Sequence, residues 1–90
     1  MESGENIEHS RLENLDFVAE LRNKFADEWE ELVTGGGKFS DEHFNYVEKI
    51  RKGDKVPKEN KWLYDKLVRI GQDYRLTPDE IDKLLEIFLE

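Results

Sequence analysis

His9 and His43 are the only histidines in the 90-residue chain and cysteine is absent, so the usual nucleophiles and proton-transfer groups are scarce. His43 directly follows Asp41 and Glu42. A metal or acid–base centre would need these three side chains to converge, but consecutive residues of a helix point about 100° apart and cannot share one ion. Ser40 and Thr77 stand where helix caps are expected, and Gly35-Gly36-Gly37 lacks the Lys and Ser/Thr of a phosphate-binding loop. Neither Thr34 to Phe39 nor Arg75 to Thr77 offers the alternating oxygen ligands and closing Glu of a calcium loop. The sequence predicts no enzyme, no cofactor and no metal site.

Charge is the other chemistry available. Residues 49–69 hold eight Lys/Arg against three Asp/Glu, inside a chain of net charge −8. Segregation on this scale points to contact with something charged, either the protein's own acidic face or a partner. Lys49, Arg51, Lys52, Lys55, Lys58 and Lys61 bracket a loop, and Trp62 follows them directly. Cations beside an aromatic ring can hold phosphates and stack on an unpaired base, which makes these seven residues candidates for nucleic-acid contact. The competing reading keeps Trp62 in the core and leaves the lysines as a solvated surface. The net charge argues against general duplex-DNA binding.

Asp27, Glu28, Glu30 and Glu31 make the opposite anomaly. They crowd the C-terminal half of the first expected helix, where the backbone dipole is already negative, and no cation follows until Lys38. Such a surface suits a basic protein partner, including by mimicry of a nucleic acid's phosphates. Pairing with the protein's own residues 49–69 explains it equally well.

The elements that position these groups are helices. Leu15, Val18, Leu21, Phe25, Trp29 and Leu32 recur at spacings of three and four, with Asn14 placed as N-cap and the glycine run as terminator. A second helix is expected after Ser40, with Phe39 and Phe44 as a hydrophobic staple, Phe44, Val47 and Ile50 inward, and Gly53 closing it. A third is expected from Lys58 to Tyr74, turning Trp62, Leu63, Leu67, Ile70 and Tyr74 inward, with Gly71 weakening its last turn. The fourth opens on Thr77-Pro78-Asp79-Glu80, an N-cap, a first-turn proline and a capping-box glutamate. Its apolar residues are Ile81, Leu84, Leu85 and Phe88. A short turn before a capped helix also fits a helix-turn-helix, but Asp79, Glu80, Asp82 and Glu86 would face the phosphates.

Lys38 to Ile50 and Trp62 to Phe88 resemble, in a generic way, small helical modules of phage and other mobile-element proteins; the resemblance singles out no family. The expected architecture is all-α: four short helices forming two antiparallel hairpins in a small bundle, with 1–13 as a flexible acidic tail or helix onset and 14–90 as one domain. No apolar run is long enough for a membrane span and no secretory leader is visible, so a soluble, cytoplasmic protein is expected. The leading functional expectation is a non-enzymatic protein-binding module, an adaptor or inhibitor that presents its acidic helix surface to a basic partner. The alternative is a nucleic-acid accessory protein using residues 49–69. Self-association between oppositely charged surfaces is a third arrangement the sequence allows.

Overall fold

The computed structural model describes residues 11–90; the expectation for Met1 to Ser10 lies outside them. Helix α1 spans Leu15–Thr34, α2 Asp41–Lys52, α3 Lys61–Asp73 and α4 Pro78–Phe88. α1 packs on α2 and α3 on α4 as two hairpins, which meet where α1 crosses α3. The architecture is all-α, as the apolar spacing predicts. Among the described residues no helix is long and apolar enough to cross a membrane.

Each helix begins on a side chain that satisfies its orphan amides. The Asn14 side chain accepts from the amides of Asp16 and Phe17 at 2.9 and 3.2 Å. Asn60 does the same for Trp62 and Leu63, so α3 starts at Lys61 instead of Lys58. At α4 the amide of Thr77 donates to Glu80 Oε1 at 2.9 Å and the amide of Glu80 to Thr77 Oγ1 at 3.2 Å, the reciprocal pair the motif predicts. At α2 the residue three after the cap is a histidine, and the amide of Ser40 donates to His43 Nδ1 at 3.1 Å. Gly53 ends α2 at φ +91°, a left-handed conformation that glycine takes without penalty.

The core is built from Leu21, Phe25, Ala26 and Trp29 of α1, Leu63, Leu67 and Ile70 of α3, and Leu84 of α4, all fully buried. Ile50 and Tyr46 bring α2 into it. Three expected core positions face outward. Phe44 is 41% exposed, because the buried residues of α2 are Tyr46 and Ile50, flanked by half-buried His43 and Val47. Phe39 accordingly does not staple to Phe44 but packs edge-on against Trp29, His43 and Trp62. Trp62 is 53% exposed: with Leu63 and Leu67 inward, the preceding residue lies about 100° around the helix. Leu15 is 81% exposed, while Leu12, from the turn before α1, is buried.

Two tertiary contacts were not legible in the helical periodicity. A methyl group at Gly71 would lie 2.9 Å from Ile81 Cγ1, so this glycine is where α3 and α4 approach closely, and not simply a weak last turn. The loop before α3 is fastened to the end of α4: the amide of Val56 donates to the Phe88 carbonyl and the amide of Glu90 to the Val56 carbonyl, both at 3.0 Å. Val56 and Leu89 form an isolated parallel bridge, and both side chains are buried.

Candidate binding surfaces

The acidic end of α1 is largely answered from within the chain. Arg51, on the last turn of α2, places one terminal nitrogen 3.0 Å from Asp27 Oδ1 and 2.9 Å from Glu30 Oε1. These hydrogen bonds, Asp27's first, hold the guanidinium above its ordinary pKa. Glu28 lies 2.8 Å from Lys24 Nζ, one turn earlier on α1, and 3.5 Å from Lys66 Nζ on α3. Its carboxyl is held below its ordinary pKa, chiefly by the Lys24 hydrogen bond, with burial opposing and the charges of Lys24 and Lys66 adding to the effect. Glu31 is exposed and has no ion pair among the described residues. Exposed pairs such as those of Arg51 contribute about 0–1 kcal/mol each, and they supply the missing cations at the negative end of the α1 dipole.

The basic segment is divided by the same contacts. Arg51 is committed to α1, whereas Lys49, Lys52, Lys55, Lys58 and Lys61 are exposed and make no ion pair among the described residues. Lys55 and Lys58 border an open groove of about 610 Å³ beside Tyr64, Leu85, Ile87 and Leu89, whose wall also carries Glu86 and Glu90. Two cations face two carboxylates there, so the groove has no phosphate-seeking surplus. Trp62 sits apart from it, resting edge-on against Phe39 at 5.3 Å and His43 at 5.8 Å between ring centroids. Beneath that pair, Trp29 Nε1 donates to the His43 carbonyl at 2.8 Å. The structure thus brings Trp62 to an aromatic knot joining α1, α2 and α3, and leaves the lysines spread over the loop and flanking turns.

A third surface lies on α4 and was not predicted as a site. Leu12 and Ile87 floor an open groove of about 590 Å³ rimmed by Glu13, Asp79, Asp82 and Glu86, with Lys83 as its single cation. Those four carboxylates are exposed and have no ion pair among the described residues. Glu80 also lines the groove and is only 8% exposed. Its Oε1 accepts from Thr77 and stands 3.5 Å from Arg11, while Oε2 is buried without a hydrogen-bond partner. Arg11 is anchored in turn by donating to the Tyr74 carbonyl at 2.9 Å. The sequence did carry a signal for this groove: Asp79, Asp82 and Glu86 recur at helical spacing, and Ile87 is an apolar residue outside the inward stripe of α4.

No group of three His, Cys, Asp or Glu side chains among the described residues is placed to hold a metal ion. No protein-family model, curated protein or solved structure matches the chain.

Proposed function

We propose that the chain is a non-enzymatic protein-binding module, an adaptor or inhibitor that offers an acidic helix surface to a basic protein partner. One observation supports this reading above others: carboxylates on the outer faces of α1 and α4, among them Glu31, Asp79, Asp82 and Glu86, are exposed with no cation within pairing distance among the described residues. Unneutralised surface charge of one sign steers a partner of the other sign and selects against partners of its own. Asp27 and Glu30 take part only if a partner displaces Arg51, an exchange that surface pairs of this strength permit. The test is an array of Lys/Arg-rich and Asp/Glu-rich peptides probed with the labelled protein. Selective retention on the basic set, weakened in an Asp27/Glu30/Glu31→Gln or an Asp79/Asp82/Glu86→Gln variant, is the expected result; equal retention on both sets removes the reading.

A second reading, nucleic-acid binding through residues 49–69, is favoured by one feature, the half-exposed indole of Trp62 next in sequence to Lys61. Fluorescence anisotropy with single- and double-stranded oligonucleotides at about 50 and 200 mM salt separates the two. Binding that weakens with salt and is lost in a Lys55/Lys58/Lys61→Glu variant would establish it in place of the protein-partner reading.

A further inference from the structure

The acidic groove of α4 differs from the acidic end of α1 in a way that specifies its occupant. On α1 the carboxylates surround no apolar floor: the depression there is lined by Lys24, Asp27, Glu28, Glu30, Glu31 and Thr34, and its charge is largely matched internally. On α4 the carboxylates rim an apolar floor, Leu12 on one side and Ile87 on the other. A groove with an oily floor and a charged rim fits an amphipathic helix that lays apolar residues inward and holds cations at its margins. The rim is net negative, since Glu13, Asp79, Asp82 and Glu86 outnumber Lys83. Glu80 in the wall is held by Thr77 and Arg11 through Oε1, while its Oε2 is buried away from solvent, so the charges open to an occupant are those of the exposed rim.

From these observations we infer that the groove between Leu12–Glu13 and α4 is the docking site for a basic amphipathic helix of a protein partner, seated with apolar side chains over Leu12 and Ile87 and with Lys or Arg against Asp79, Asp82 and Glu86. The inference rests on the acidic-surface reading and makes it specific. It assigns recognition to α4, with α1 a structural partner of Arg51. Because the floor contributes as well as the rim, the occupant is distinguished from any other polycation by its apolar face. Polar pairs at the rim set orientation and on-rate, and the buried apolar contacts set the residence time.

The experiment titrates the full chain against three fluorescent probes about four helical turns long. The first is an amphipathic Leu/Lys helix; the second has the same composition scrambled so that no apolar face forms; the third is an unpaired oligonucleotide. The expected order is amphipathic peptide above scrambled peptide, with no oligonucleotide binding. Asp82/Glu86→Lys should weaken the amphipathic peptide by at least about tenfold, and Ile87→Ser should remove most of its advantage over the scrambled one, because these changes act on rim and floor separately. Asp65→Asn, at an exposed α3 carboxylate that belongs to neither acidic surface, should leave both titrations unchanged. Equal affinity for the two peptides overturns the groove while leaving the acidic-surface reading intact. So does binding that survives Asp82/Glu86→Lys and is lost in Glu30/Glu31→Gln. Absence of binding to either peptide overturns both, and oligonucleotide binding in its place transfers the function to residues 49–69. Circular dichroism of each variant confirms that surface substitutions have left the helices in place.

Discussion

The two tryptophans show how one residue type serves two ends. Trp29 is fully buried, and its indole nitrogen donates to the His43 carbonyl, so it fixes where the start of α2 sits on α1. Replacing it with Ala removes a large core side chain and the added hydrogen bond to that carbonyl; the expected loss is about 3–5 kcal/mol. Trp62 keeps half its surface in solvent and touches Phe39 and His43 edge-on, contacts worth about 0.5–1.5 kcal/mol each at most. Trp62→Ala is expected to cost about 1–2 kcal/mol, clearly less than Trp29→Ala. Urea denaturation of the two variants checks the contrast, and a Trp62 loss as large as that of Trp29 would show that the indole is a core group after all. Sequence periodicity alone put both rings inside, because it counts an aromatic residue as apolar wherever it falls within about a quarter turn of the stripe.

The same limit explains most of what the sequence left unread at the level of elements. Helix existence and the Asn14 and Thr77 caps were legible because each depends on residues within four positions of one another, and hairpin pairing because the connections are short. The facing of α2 was not, since its buried face uses Tyr46, which hydropathy treats as weakly polar, beside Ile50, while the more hydrophobic Phe44 lies outside. The self-pairing of Arg51 with Asp27 and Glu30 was visible only as one of two alternatives, because charge counts carry no distances. Gly71 was read as a flaw in α3 when it is the contact with α4. Alanine there gains up to about 1 kcal/mol of helix propensity, but its methyl group meets Ile81 Cγ1 at 2.9 Å, and overpacking of this kind costs about 1–3 kcal/mol. Gly71→Ala is therefore expected to be destabilising by roughly 1 kcal/mol in the native chain and stabilising in an Ile81→Ala background, where the obstructing atoms are gone. A double-mutant cycle by chemical denaturation reads the reversal of sign; the same sign in both backgrounds would mean that the helices move apart to admit the methyl group. A related compromise stands at Arg75, which holds φ +60° in the turn between α3 and α4, a conformation glycine adopts more readily.

For the whole molecule, the two hairpins are joined by packing and, among the described residues, by the ion pairs Glu28 to Lys66 and Arg11 to Glu80, in a chain whose net charge of −8 opposes compaction. Because the carboxyl of Glu28 titrates below its ordinary value of 4.5 in the fold, its contribution is present above that pH and is lost as pH falls through the lower folded value. Glu28→Gln is expected to reduce stability by up to about 1 kcal/mol at pH 7, a figure already discounted for its partial exposure, and the gap from wild type should close as the solution is acidified below about pH 4.5. Urea midpoints over a pH series measure this, and a gap independent of pH would assign the effect to packing. Glu90 and Val56 have a further consequence. Tension applied at Glu90 reaches the loop ahead of α3 through the hydrogen bonds of Val56 to Phe88 and of Glu90 to Val56 before it reaches the helical core. The bridge is a mechanical latch: force applied at Glu90 must break it before α4 can peel from α3.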